Sequence, residues 1–333
     1  MSVARVGTAP DGAPVWQVSL AGNGVSAKIL SYGAVVQDLR LDGHCAPLVL
    51  GFADFDPYIR NSAYLGAVVG RYANRIAQGQ FALDGRTHQL DQNEGAHHLH
   101  GGRGGTAFCN WQLAGHDATS VRLALRLPDG HMGFPGNMDV SVLYDTADAN
   151  SLNLTIEAKV DQPSLANFAG HSYFCLDASG GLKDHWLTVL AETVLPVDKA
   201  GLPVGQPQPV SATPLDFRKN RALSSGNGIV ELDHNFCLAN QSFKEVARLR
   251  SARSGIALSL WTDQPGLQVY TGKWLETPPG HDGRRFTAHA GVALEPQFWP
   301  DAPNWPSAPS PVLRPGMTYR QTTSYRFKKT APL

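Results

Sequence analysis

The sequence predicts an all-β fold. Apolar and polar residues alternate with period two in many short segments, and glycine and proline punctuate the gaps between them. No window of about 10 residues carries a helical apolar stripe. The first strand candidates are residues 15–20 and 25–41. Val121, Leu123, Leu125 and Leu127 then alternate with Arg122, Ala124 and Arg126, and Val140, Val142 and Tyr144 with Asp139, Ser141 and Leu143. Ser151–Val160 places Leu152, Leu154, Ile156, Ala158 and Val160 on one face and Asn153, Thr155, Glu157 and Lys159 on the other. Residues 187–195, 256–261, 267–275, 291–298 and 318–327 complete the set. The strand pattern does not change across the long irregular stretches 93–107, 195–217 and 276–285, which read as walls of a site. One large β domain over residues 1–333 is therefore expected.

Composition narrows the function classes. The 333 residues include 28 basic and 28 acidic side chains, so the formal net charge is zero. Nucleic acid and anionic membranes reward a basic surface, and neither is expected as a partner. No stretch approaches the ~18 apolar residues of a membrane span, and the N-terminus lacks an apolar signal core, so a cytoplasmic location is expected. The four cysteines lie more than sixty residues apart, which favours neither a zinc site nor a disulfide framework. Asn153-Leu154-Thr155 and Asn240-Gln241-Ser242 match the glycosylation pattern by chance on this reading.

Five segments are richer in polar and aromatic residues than plain strands need. They begin at Gly70 (GRYANR), His97 (HHLHGG), His171 (HSYF), Asp233 (DHNF) and Ala293 (ALEPQ). If each is extended, His98 and His100 point together, as do His171 and Tyr173, Asp233 and Asn235, Gln268 and Tyr270, and Glu295 and Gln297. Such strands bury one face and turn polar tips toward a common concave surface. Planar polar tips beside Tyr and Trp suit a sugar, with its many hydroxyls and apolar ring faces. The glycines after His100 make a poor phosphate cradle because no helix pattern follows them. His98 and His100 have metal-like spacing, yet no third ligand is identifiable, so no metal and no cofactor are expected. Taken singly, Arg75 reads as an ion-pair residue, His171 as a hydrogen-bonded buried histidine and Asp233 as a turn residue. Glu295 is the most informative, because an ionised carboxylate inside the apolar run AGVALEPQFW is costly unless paired or used.

In chain order these segments resemble the galactose mutarotase, or aldose 1-epimerase, family. The resemblance rests on GRYANRIAQGQFALDG from Gly70, HHLHGG from His97, DGHMGFPGNMDVSVLY from Asp129, HSYFCL from His171, TPLDFR from Thr213 and DHNFCL from Asp233. TDQPGLQVYTGKWL from Thr262 and ALEPQFWPDAPNWPSAPSPVLRPGMTY from Ala293 complete it, over about residues 25 to 327. The resemblance implies a large antiparallel β-sandwich of the galactose-mutarotase type with a sugar cleft across one sheet. It implies cofactor-independent interconversion of the α and β anomers of free aldoses such as galactose or glucose. The catalytic base falls on Glu295 and the acid on His171. The sugar-contacting residues fall on Asn74, Arg75, His100, Tyr173, Asp233 and Gln268.

On this reading Glu295 is ionised near neutral pH and His171 is held protonated by neighbouring carboxylates. The partner is a free monosaccharide, and the chain acts as a monomer or homodimer. A glycoside hydrolase, which needs two carboxylates, and a non-catalytic carbohydrate-binding module on the same fold are the alternatives. A phosphorylated-sugar epimerase would want a basic cluster that Arg75 alone does not supply. Two departures from the family stand out. The run 105–111 (GTAFCNW) replaces Gly-Phe followed by Asp-Lys-like residues before Trp, which alters a loop expected beside the cleft and bears on sugar preference. Cys175 stands where Asn is common.

Overall fold

In the computed structural model of the chain, residues 2–60, 63–177, 179–226, 228–239, 242–281 and 283–330 are described. Asn240 and Gln241 of the second glycosylation pattern lie outside them. The described residues are almost wholly strand and turn, and the α-helix Asp56–Arg60 is one short turn. Among them no helix is long and apolar enough to cross a membrane.

Three antiparallel sheets share most of the strands. An N-terminal meander runs Ser2–Thr8, Pro14–Gly22, Val25–Leu30 and Val36–Leu41. A nine-stranded sheet has Ser151–Val160 and Tyr319–Lys329 paired at its centre. A six-stranded sheet contains Tyr173–Phe174, Val292–Gln297, Gly266–Tyr270 and Asp233–Cys237 in that spatial order. One hydrophobic cluster joins all three. It takes Val18 and Ile29 from the meander, Ile156, Leu258 and Tyr325 from the nine-stranded sheet, and Phe236, Leu267, Val269 and Leu294 from the six-stranded one. Each fully buried side chain of this size is worth about 1.5–3 kcal/mol. The arrangement is a β-sandwich, and it answers the alternation: the apolar row of Ser151–Val160 is buried and its polar row is turned outward.

Two expected strands differ. The stretch 25–41 is two strands, because Gly33 and Ala34 adopt left-handed φ values of 66° and 48° and turn the chain. The stretch 187–195 crosses between sheets: His185–Val189 lies in the nine-stranded sheet and Thr193–Val194 in the six-stranded one. Asp233 is a strand residue paired with Tyr270, not a turn residue.

The two arginines of GRYANR have separate tasks. Arg71 is 1% exposed and donates to four carbonyls, those of Pro135, Gly136, Leu127 and Pro128, at 2.8–3.2 Å. It ties this segment to the hairpin of Ser120–Leu127 and Met138–Asp145. Burial lowers its pKa to about 10, which leaves it charged at neutral pH. Arg71→Met takes a donor from four carbonyls, of which Pro128 keeps the His131 N–H, and each buried group left unpaired costs about 1–3 kcal/mol. Denaturant unfolding of that variant is expected to show a loss of at least ~3 kcal/mol, with Arg71→Lys intermediate because a point charge cannot reproduce the fork. A loss below ~1 kcal/mol contradicts the anchoring role.

Candidate active site

The outward face of the six-stranded sheet forms the floor of a cleft of about 240 Å³. Strand register builds it. Gln268 sits directly opposite Glu295 on one side and Asn235 on the other, and Tyr270 lies between Asp233 and Ala293, which pairs in turn with Tyr173. The alternate residues Leu267, Val269 and Leu294 point into the core. Gln268 Nε2 donates to Asp233 Oδ1 at 2.6 Å, which fixes that carboxylate over the floor.

The wall comes from two segments far apart in sequence. Arg75–Ile76 pairs with His98–Leu99, which brings Arg75 beside Leu99. The next residue, His100, has φ 51°, so its side chain leaves the alternation and enters the cleft. His98 remains on the opposite face. It packs edge-on to Phe134 at 5.2 Å between ring centres, and its Nδ1 lies 2.7 Å from the Asp91 carbonyl. The expectation that His98 and His100 point together is thus corrected by one left-handed residue. Gly101 explains the glycines that follow. It adopts φ 89°, and a Cβ there would lie 1.7 Å from the Gly70 carbonyl oxygen. The glycine lets the two wall segments touch.

All eight residues expected to form the site line this single cleft: Asn74, Arg75, His100, His171, Tyr173, Asp233, Gln268 and Glu295. Asn235 and Gln297 are buried but do not line it, and a Cβ on the neighbouring Gly266 would sit 2.6 Å from Asn235 Oδ1. Trp299 donates its indole N–H to the Pro265 carbonyl at 3.0 Å and lies away from the cleft, as does Trp305. Four further aromatic or charged lining residues escaped the sequence reading of the site: Tyr64, Glu94, Trp274 and Glu276. Glu94 and Glu276 fall in irregular stretches already marked as walls. Tyr270 shared a face with Gln268 on the alternation and also lines the cleft. None of the altered loop 105–111 does.

Hydrogen bonds set the chemistry of each group. Arg75 forms a two-pronged ion pair with Glu94, at 2.7 and 2.8 Å, and Gly201 from the irregular stretch 195–217 closes against its guanidinium. The Asn74 backbone N–H donates to His100 Nδ1 at 3.1 Å. Burial and the neighbouring charges hold the His100 pKa well below its ordinary value, so the ring is neutral and its proton resides on Nε2. His100, His171 and Glu295 bring ligating atoms within 4.8 Å of one another. The His100 tautomer nevertheless presents a proton to the cleft instead of a lone pair, which suits a hydroxyl and not a cation.

His171 Nε2 and Glu295 Oε2 are 3.5 Å apart, with side-chain exposures of 5% and 2%. Burial raises the Glu295 pKa well above the usual carboxylate range, assisted by Asp233 and opposed by Arg75. Burial pushes His171 down to about 4. Both shifts favour the neutral forms, and so run against the ionised Glu295 and protonated His171 expected from the sequence.

Comparison with known proteins agrees with this geometry. Residues 17–326 match the family model described as aldose 1-epimerase. The chain is 38% identical over 328 residues to the galactose mutarotase of Mus musculus, covering 95% of both chains. It is 36% identical over 335 residues to the aldose 1-epimerase of Escherichia coli strain K12, covering 96% of this chain and 97% of that one. Its fold superposes on an aldose epimerase homologue from C. elegans with a TM-score of 0.89 and 31% identity, covering 94% and 99% of the two chains. A galactose 1-epimerase from Lactobacillus acidophilus gives a TM-score of 0.84 and 29% identity, covering 99% and 98%. The chain belongs to the aldose 1-epimerase family.

Proposed function

We infer that this protein is an isomerase that interconverts the α and β anomers of free aldoses by opening and reclosing the sugar ring. The observation that carries the reading is the buried Glu295–His171 pair at 3.5 Å on the floor of a polar cleft. Ring opening needs one group to take the proton of the anomeric hydroxyl and another to protonate the ring oxygen. Closure on the other face reverses both transfers. Two groups that hold one proton between them satisfy this requirement in either direction.

Substrate supplies the missing step in charge. A hydroxyl that donates to Glu295 favours its ionised form, and a ring oxygen that accepts from His171 favours the imidazolium. Both bonds move the shared proton from Glu295 to His171, which prepares Glu295 as the base and His171 as the acid. His100 Nε2–H and Arg75 orient hydroxyls and offset negative charge that develops on the ring oxygen. Asn74, Tyr173, Asp233 and Gln268 hold the ring. Asp233, Glu94 and Glu276 line the cleft with Arg75, the one lysine or arginine among its described lining residues, which Glu94 already engages. That balance favours neutral sugars over phosphorylated ones. One hydrophobic cluster running from Val18 to Phe327 supports a single working domain, and four free cysteines support a reducing, cytoplasmic setting.

Glu295→Gln is expected to lower the rate of anomer exchange at least ~10²-fold, read by polarimetry or exchange NMR on freshly dissolved pure anomers, and His171→Asn should behave alike. Near-normal turnover in the Gln variant rejects Glu295 as the base. The same variant should melt at a higher temperature than the parent at pH 7. A carboxyl whose folded pKa is raised destabilises the fold as pH climbs above the unfolded value of about 4.3. The gain should therefore vanish below ~pH 4, and an unchanged melting temperature at pH 7 contradicts the raised pKa. Arg75→Ala and Asp233→Ala should raise KM as well as slow turnover, because both hold the ground state. A defect in turnover alone would exclude that role.

A further inference from the structure

Tyr64 has a conformation that local sequence does not call for. Its φ is 54°, in the left-handed region that a bulky residue rarely enters. Surrounding contacts hold it there. Its ring centre lies 4.8 Å from that of His100, 5.8 Å from that of His171 and 5.5 Å from that of Phe108. One aromatic ring thus touches both histidines of the cleft on one side and the altered loop 105–111 on the other. Its peptide carbonyl accepts from Ala67 N–H, and Ala67 in turn accepts from the His171 N–H at 2.8 Å. The backbone that carries Tyr64 is therefore tied to the backbone that carries His171.

The phenol is the second observation. Tyr64 lines the cleft, and its hydroxyl makes no hydrogen bond to any described residue. The side chain is partly buried, and burial raises its pKa to about 12, with the charges of Glu94 and Arg75 acting on it. A polar tip that lines the cleft without a partner among the described residues is a hydrogen-bonding group open to a ligand. The cleft's two other tyrosines differ from each other: Tyr270 accepts from the Trp274 backbone N–H at 2.7 Å, whereas the Tyr173 hydroxyl, like that of Tyr64, makes no hydrogen bond to a described residue.

We propose that Tyr64 is a substrate-positioning residue whose phenol bonds one ring hydroxyl of the aldose, and that loop 105–111 influences sugar preference through Phe108 packed against the Tyr64 ring. The inference rests on the reading of the cleft as the aldose site. It explains how a loop with no residue in the cleft bears on specificity. Phe108 sets the tilt of Tyr64, and Tyr64 sets which hydroxyl it meets.

The test compares the parent protein with Tyr64→Phe on an aldose and its 2-, 3-, 4- and 6-deoxy analogues. The variant keeps the ring and removes only the hydroxyl. One lost hydrogen bond to a desolvated partner corresponds to about a tenfold fall in kcat/KM, carried mainly by KM. That fall is expected for the aldose and for every analogue except one, on which parent and variant perform equally. An equal penalty across the series, or no penalty anywhere, overturns the proposal. Phe108→Ala should change the ratio of kcat/KM between galactose and glucose, and the change should disappear in a Tyr64→Ala background. Persistence of the change in that background overturns the loop route. Should Glu295→Gln lose turnover while Tyr64→Phe matches the parent throughout, only this inference falls. Retained turnover in Glu295→Gln instead removes the reading beneath it.

Discussion

A carboxyl group that is 2% exposed on the face of a β-sheet resists ionisation, and Glu295 occupies such a position. The surroundings of the cleft are arranged around that resistance. Asp233, held by Gln268, adds negative charge nearby and strengthens it, while Arg75 opposes it. His171 is buried as deeply and is equally reluctant to carry charge. Two desolvated groups side by side both favour their neutral forms, and a change in hydrogen bonding shifts that balance. Under the proposed function, a sugar that presents a donor to one and an acceptor to the other makes that change on binding, and the proton is returned at the end of each passage.

Precise placement of this pair comes from sheet register and from a few strained positions. Register puts Gln268 beside Glu295, and Tyr270 beside Asp233. Three residues of the cleft, Tyr64, Asn74 and His100, adopt positive φ without being glycine. Strain of this kind persists only where neighbouring contacts over-determine it. Arg71 supplies part of that restraint by gripping four carbonyls. The C-terminal segment supplies more: Asp301 donates its N–H to the Arg75 carbonyl and accepts from Ala77 N–H, while Tyr72 donates to the Trp299 carbonyl and accepts from Ala302 N–H. The polar residues of the family motifs thus divide into those that meet the cleft and those that brace it.

Regular strands were legible in the sequence, and so were the cleft-lining residues they carry. Period two placed His171 with Tyr173, and Gln268 with Tyr270, on shared faces, because extended backbone keeps strict alternation. The same rule failed for His98 and His100, where one left-handed residue reverses a side chain without any mark in the local pattern. Tyr64 and Glu94 were missed because they lie in irregular backbone, where no period exists to be read. The directions in which Glu295 and His171 shift were not legible for a related reason. Neighbouring charges can be guessed from motifs, but the depth of burial that dominates both shifts depends on how the sheets pack.

The most direct measurement is a crystal structure of the protein soaked with a monosaccharide. The account predicts the reducing end between the two side chains, with Glu295 within hydrogen-bond distance of the anomeric hydroxyl and His171 within reach of the ring oxygen. A sugar bound in the cleft with its reducing end remote from both groups would contradict it.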